Sequence, residues 1–285
     1  MYKWLQVDAT TKCNAWCPGC DRNQGGYGLT PGLVLEDLNE NVFESHLKNF
    51  PDLEVIDFCG TFGDAIAASN IKILTELAKA HAKKILIRTN GSLRNVTWWT
   101  QYGHLLKDHD HEVWFCLDGL ADTHSIYRQG TNFDTIINNA KSFMSAGGVA
   151  VWQFIPWAHN QHQIKDCIRM SQKLGFKRFE LVRNVRKEFL VRARDYRSGN
   201  PITILPWDRD KQENKYGFNT NRHILTAQEC RHLSQPSIYL NANGKLSPCC
   251  FLNINLCADT LEELPDIANE LLHNPRKTCI NCCSR

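Results

Sequence analysis

The chain has 285 residues, long enough to bury a sizeable core as one large domain or as a domain with an appendage. Its 42% hydrophobic and 22% charged residues are ordinary for a globular protein, and a net charge of +3 is too small for general affinity for nucleic acid or membrane. No apolar run approaches the roughly 18 residues of a membrane span, and Met1–Asp8 reads as a strand rather than a signal peptide, so a cytosolic protein is expected.

From Lys3 to about Val182, strand and helix signals alternate. A strand at Trp4–Asp8 is followed by a helix at Val34–Leu47, a strand at Leu53–Cys59 and a helix at Ile71–Ala82. Then come Ile85–Thr89 (strand), Val96–Leu106 (helix), Glu112–Leu117 (strand) and Phe133–Ala146 (helix). Val149–Ile155, Ile164–Leu174 and Phe179–Val182 complete the series as strand, helix and strand. In the fourth helix Ile136, Ile137, Ala140, Phe143 and Met144 recur at helical spacing, and Gly147, Gly148 and Gly175 fall where C-caps belong. Six strands joined by five helices imply an α/β fold with a parallel sheet and right-handed crossovers, curling into a partial (β/α)6 TIM-like barrel. Such barrels carry their chemistry at the C-terminal ends of the strands.

After Val182 the pattern breaks. Residues 183–225 are polar and basic and read as a connecting segment draped over the barrel; between 177 and 197 eight Lys or Arg stand against three acidic residues, a solvated face or a docking surface for an anionic partner. A hairpin is expected from Ile238–Leu240, Asn241–Gly244 and Lys245–Ser247, then a helix from Thr260 to Leu272. The expected units are therefore 1–182, 183–225 and 226–285.

The 13 cysteines fall in two groups, three within eight residues near the start and seven between Cys230 and Cys283. In a reducing cytosol such clusters bind metal or do chemistry more often than they form disulfides. Cys13, Cys17 and Cys20, spaced CxxxCxxC in a Gly- and Asn-rich loop after the first strand, can hold three irons of a [4Fe–4S] cubane and leave the fourth open. An open coordination position is a mark of catalysis. A zinc site would need a fourth ligand nearby; Asp21 is the nearest, and no histidine precedes His46.

With its loop cysteines, this sequence resembles the radical S-adenosylmethionine (SAM) superfamily, in which the open iron binds SAM and a reductive cleavage yields a 5′-deoxyadenosyl radical. The resemblance extends to further strand ends. Gly60, Thr61, Gly63 and Asp64 stand where the family has Gly-Gly-Glu-Pro, with Asp64 for the glutamate and Ala65 for the proline. Arg88-Thr-Asn90-Gly91-Ser92 resembles the Thr-Asn-Gly signature, and Asp118-Gly119, His124 and Arg128 resemble a pattern of the subfamily with C-terminal cluster domains. The resemblance implies Asp64 at SAM's ammonium, Arg128 at its carboxylate, Asp118 toward SAM or substrate, and Asn160 at the adenine or ribose. A capped glycine turn, a capping Asp and a surface Arg are the plain alternatives. Asp118, His159 and Arg183 are candidate catalytic or substrate contacts, and His159 reads equally as a solvated loop histidine. One departure stands in the cluster loop, where Gly19 occupies a position usually aromatic in the family; Trp16 is a candidate substitute.

Cys230, Cys249 and Cys279-x2-Cys282 resemble a truncated SPASM pattern, the twitch domain, implying a small C-terminal hairpin-plus-helix domain with an auxiliary [4Fe–4S] cluster on those four cysteines. Zinc on the same thiolates is the alternative; Cys250 and Cys283 are possible replacements. Cys59, Cys116 and Cys167 read as small buried hydrophobes. The function implied is hydrogen-atom abstraction, with the auxiliary cluster assisting oxidation and a one-electron donor such as flavodoxin or ferredoxin. Because the sequence starts almost at the first barrel strand, a small polar substrate is expected ahead of a ribosomal peptide. A non-catalytic iron–sulfur or zinc protein is the reading from another class.

Overall fold

The computed structural model describes residues 2–107, 110–182, 191–207, 237–250 and 257–273. Six strands pair in parallel in chain order: β1 (Trp4–Val7), β2 (Val55–Phe58), β3 (Lys84–Thr89), β4 (Glu112–Cys116), β5 (Val149–Phe154) and β6 (Arg178–Leu181). The crossovers carry α1 (Glu40–Leu47), α2 (Ile71–His81), α3 (Val96–Leu106), the short α4 (His124–Tyr127) with α5 (Phe133–Ser145), and α6 (Ile164–Leu174). Side chains alternate along each strand. Leu5, Ile56, Ile85, Val113 and Ala150 join one continuous core with the helices, whereas Asp57, Arg88 and Gln153 take the opposite face and bond to one another. This inner face is polar, and it faces the site described below.

Local chemistry explains where the helices begin and end. Asn39, Asn95 and Asn132 each offer a side-chain oxygen to N–H groups of the first turn of α1, α3 and α5. Such caps contribute about 1 kcal/mol apiece. Gly175 closes α6 in the left-handed region at φ +88. Aromatic packing ties the outer layer to the sheet: Trp99 of α3 lies 5.0 Å from the Phe115 ring of β4, with Phe143 of α5 edge-on at 5.9 Å.

Three features differ from the sequence expectation. The first helix starts at Glu40 rather than Val34, because residues 34–38 run extended against the cysteine loop: Leu38 N–H donates to Ala9 O, Thr11 N–H to Glu36 O, and the Thr11 hydroxyl to Val34 O. Within 183–225 the described residues include an antiparallel hairpin, β7 (Val191–Arg194) and β8 (Pro201–Ile204), where no regular structure is expected from the pattern. The last helix, α7 (Leu264–His273), begins later than Thr260.

The expected C-terminal hairpin forms as β9 (Ser237–Leu240) and β10 (Leu246–Ser247), but it does not stand apart. Strand β9 pairs in parallel with β1, from Trp4 opposite Ser237 to Val7 opposite Leu240. The sheet therefore has eight strands in the order β10-β9-β1-β2-β3-β4-β5-β6. Among the described residues no helix is long and apolar enough to cross a membrane.

Candidate active site

The loop after β1 is held from three sides. Arg22, itself buried, donates from Nε to Thr11 O at 3.0 Å and from Nη1 to Asn23 Oδ1 at 3.0 Å, bracing the loop from within. Trp16 N–H donates to Gln129 O at 2.8 Å, and the Trp16 ring stacks on Tyr196 of the β7–β8 turn at 5.0 Å and 12°. The hairpin covers the loop further by burying Val191, Ala193 and Ile204 against Ala15, Cys17, Tyr127 and Trp157.

So braced, Cys13, Cys17 and Cys20 line one cavity of about 320 Å³ together with Gly60, Gly63, Asp64, Asn90 and Arg128. These residues come from the ends of β1, β2, β3 and β4, where a barrel of this kind works. Two glycines make the approach possible. Gly60 has φ +55 and its Cβ position is filled by Gly63 O; a Cβ on Gly63 would collide with Thr10 O of the cysteine loop. Asp64 N–H donates to Lys12 O at 2.9 Å across the same junction, and Thr61 N–H donates to Asp8 Oδ1 at 2.7 Å.

The Asp64 carboxylate is buried. It accepts from Ile66 N–H (3.0 Å), the Thr89 hydroxyl (2.7 Å) and Asn90 N–H (2.6 Å), so it joins the ends of β2 and β3 while lining the cavity. Burial pushes its carboxyl above the usual range, against the pull of those three donors. The Asn90 amide donates to Asn14 Oδ1 at 2.9 Å and reaches Cys13 Sγ at 3.8 Å.

Arg128 is the buried cation of the site. Its Nε donates to Asp118 Oδ2 at 2.6 Å, and Nη1 lies 3.9 Å from Cys17 Sγ. Asp118 is buried and also accepts from Ile155 N–H at 2.7 Å; burial raises its carboxyl, with Arg128 opposing. Both carboxylate oxygens of Asp118 thus have protein partners, and its evident work is to aim Arg128. His124 completes the support. Asp118 N–H donates to its Nδ1 at 3.2 Å, which leaves Nε2–H to donate to the Thr131 hydroxyl at 2.9 Å, and that hydroxyl donates to Arg128 O at 2.6 Å. Burial lowers the His124 pKa to about 3, so it is neutral. The Asp…His…Arg…Gly spacing has a mechanical meaning here. Gly130, at φ +80, lets the same turn pack on the cysteine loop, where an added Cβ would lie 2.8 Å from Asn14 O.

Other expected residues stand elsewhere. The Asn160 amide accepts from Trp157 N–H (2.7 Å) and donates to Asp118 O and Ile155 O (3.1 Å each), stapling the ends of β4 and β5 behind the cavity wall. His159 is half-buried outside the cavity, its pKa lowered to about 4 by desolvation, and Nε2 has no partner among the described residues. Arg183, Cys230, Cys279 and Cys282 lie outside the described residues. Cys249 is described, and is buried with Cys250 against Tyr239 and Leu271.

The pattern of the sequence does not reveal several cavity residues. Tyr127 fills the space beside Gly19, where an added Cβ would lie 2.7 Å from its hydroxyl, so an aromatic ring stands by the loop although Gly19 lacks one. Trp16 stacks on Tyr196 instead. Arg88 lies 4.2 Å from the Trp114 ring centroid and is held by Asp57 and Gln153; with Gln153, Cys59 and Cys116 it forms the inner floor. Side-chain alternation along β2–β5 was the signal that could have identified this floor.

The donor set fits a cubane. Burial raises the Cys17 thiol to about 12 and pushes Cys13 higher still, so thiolates in this position need a strong local cation, which iron supplies. Ala15 N–H at 3.3 Å from Cys13 Sγ and Arg128 near Cys17 add the sulfur-directed donors that tune such clusters. A cubane takes one thiolate per iron.

No family model matches the sequence, and no curated protein does. Solved structures match in fold. SuiB from Streptococcus suis bound to precursor peptide SuiA superposes with a TM-score of 0.70 at 16% identity, over 100% of this chain and 71% of that one. SuiB bound to S-adenosylmethionine gives 0.68 at 15%, over 96% and 66%. Native anSMEcpe with bound AdoMet and the Kp18Cys peptide gives 0.61 at 15%, over 97% and 83%. These neighbours are radical SAM enzymes, and the chain shares their partial-barrel fold.

Proposed function

We propose that this chain is a radical SAM enzyme acting on a side chain of a peptide or protein. The observation that carries the reading is the convergence of Cys13, Cys17, Cys20, Asp64, Asn90 and Arg128 on one cavity at the strand ends. A [4Fe–4S] cluster on the three thiolates, with SAM bound, supplies a one-electron reductive cleavage to methionine and a 5′-deoxyadenosyl radical that takes a hydrogen atom from substrate. Arg128, aimed by Asp118 and His124, is the partner for SAM's carboxylate. Asp64 receives SAM's ammonium on the lone pairs its three donors leave open. Asn160 acts through the β4 and β5 loops it joins. The cover of β7–β8, with Tyr127 and Trp157 beneath it, excludes water from the radical.

The peptide reading is favoured over a small polar substrate because SuiB and anSMEcpe are each found with a peptide and share this fold. The polar floor of Arg88 and Gln153 suits either class. The C-terminal cysteines would hold an auxiliary [4Fe–4S] cluster, a group able to take the second electron of an oxidation, and a flavodoxin or ferredoxin would donate the electron that reduces the first cluster. Units 1–182, 183–225 and 226–285 serve as barrel, cover and auxiliary unit.

The test is anaerobic reconstitution with iron, sulfide, SAM and a reductant. The wild type is expected to form 5′-deoxyadenosine, and a Cys13→Ala, Cys17→Ala, Cys20→Ala variant to form none. Equal yields from both proteins would defeat the reading.

A further inference from the structure

Cys59 is the first residue after β2, and its side chain is in contact with two environments. On one side it lines the cavity of the cysteine loop, beside Gly60 and Arg88. On the other it packs against the buried group of Tyr239, Cys249, Cys250 and Leu271, which β9, β10 and α7 bring to the barrel. That meeting depends on topology. Strand β1 lies between β2 and β9, and parallel pairing on both sides sets Phe58 and Leu240 level with Val7. Cys59 thus emerges at the level where the C-terminal hairpin joins the sheet. Residues nearly 200 apart in sequence supply thiols to one buried cluster.

A half-buried thiol between two such regions is either an inert hydrophobe or a ligand. The surroundings argue for the ligand. An inert cysteine packs among aliphatic side chains, as Cys167 does in the outer core. Cys59 instead stands among other thiols, near Asp57 and Asp8 and the cation of Arg88. Cys59, Cys249 and Cys250, from two distant segments, meet in one cluster, and thiolates are the groups that hold a cubane.

We propose that Cys59 is a ligand of the auxiliary cluster, so that the barrel's second strand, and not the C-terminal segment alone, holds it. The inference rests on the auxiliary cluster of the proposed function. As a ligand, Cys59 would hold that cluster from a residue that also lines the cavity of Cys13, Cys17 and Cys20.

The experiment uses the full chain carrying Cys13→Ala, Cys17→Ala and Cys20→Ala, which leaves the auxiliary site as the remaining cluster site. Reconstituted anaerobically, this parent is expected to carry about four iron and four sulfide per chain, the content of one cubane. Adding Cys59→Ala should lower iron by at least a quarter. Adding Cys59→Ser, which keeps the volume, should retain more iron and shift the electron paramagnetic resonance spectrum of the reduced cluster. Cys116→Ala, another buried cavity thiol outside the group, is the control for cavity formation and should leave both readouts unchanged. If Cys59→Ala and Cys59→Ser match the parent in iron, sulfide and spectrum, the assignment of Cys59 is overturned and the auxiliary cluster stands. If the parent binds no iron, the auxiliary cluster itself is overturned, and Cys59 with it.

Discussion

The two cysteine regions of this molecule are built on opposite plans. Cys13, Cys17 and Cys20 come from one loop of eight residues, and the barrel grips that loop through Gly63, Gly130, Arg128 and the β7–β8 cover. Cys249 and Cys250 follow a hairpin that joins the barrel by pairing with β1, and they meet Cys59 there. A contiguous ligand set is cheap in chain entropy and needs a scaffold mainly to orient it. A dispersed set must close a loop of nearly 200 residues first, so the sheet has to form before the site does. The first cysteine group is thus assembled within one loop, whereas the second comes together only once the C-terminal strands have joined the sheet.

The contrast can be broken most severely at the loop. Cys17→Ala should reduce 5′-deoxyadenosine formation to background while leaving the iron of the second site in place. Loss of all iron in this variant would mean that the two sites are not independent.

Next in size is the buried ion pair that serves the first site. Arg128→Ala leaves Asp118 buried without its cation and should cost about 3–5 kcal/mol in denaturant unfolding. Asp118→Asn keeps the shape and the bond to Ile155 N–H, and should mainly raise the KM for SAM. A neutral effect of Arg128→Ala on both stability and SAM cleavage would remove this pair from the argument.

The His124 bridge gives a pH dependence whose sign is fixed by its lowered pKa. The unfolded chain takes up a proton below the ordinary value of 6.5, but the folded chain resists until about 3. The stabilisation is therefore complete above pH 6.5 and declines as pH falls toward 3, by roughly 2 kcal/mol at pH 5. In His124→Gln the slope of unfolding free energy between pH 6.5 and 4 should flatten; an unchanged slope would assign the acid sensitivity to other groups.

Gly63→Ala tests the contact between the β2 turn and the cysteine loop. The clash with Thr10 O should cost about 1–3 kcal/mol and lower cluster loading in the first site without affecting the second. The smallest effect is expected at the cover, where Trp16→Ala removes the stack on Tyr196, worth about 0.5–1.5 kcal/mol beyond buried area. Faster uncoupled loss of SAM in that variant, at nearly unchanged stability, would support the cover's part in excluding water.

Much of the barrel was legible in the sequence because its signals are local. Period-2 and period-3.6 patterning marks β1–β6 and α2, α3, α5 and α6, and the strand-end motifs follow on those strands. The same local signals set Cys13, Cys17, Cys20, Asp64, Asn90 and Arg128 after strand ends, and the structure brings them to one cavity. The extended run 34–38 was not, because its apolar Val34, Leu35 and Leu38 fit a helix until the backbone of Ala9 and Thr11 is there to receive it. Nor was the hairpin β7–β8, whose four-residue strands carry Arg192 and Arg194 on the exposed side and bury against the cysteine loop, Tyr127 and Trp157.

What the sequence by itself determined is thus the parallel barrel order, the three-cysteine loop and the turns that carry Asp64, Asn90, Asp118 and Arg128. These depend on periodicity, glycine and spacing over fewer than about 20 residues. The tertiary structure decided the rest: Tyr127 beside Gly19, the joining of β9 to β1, and the position of Cys59 between the cavity and the buried C-terminal thiols. The physical reason is common to all three. Each is a contact between segments distant in the chain, and such contacts depend on which strand lies next to which, a choice made by the packing of the whole sheet.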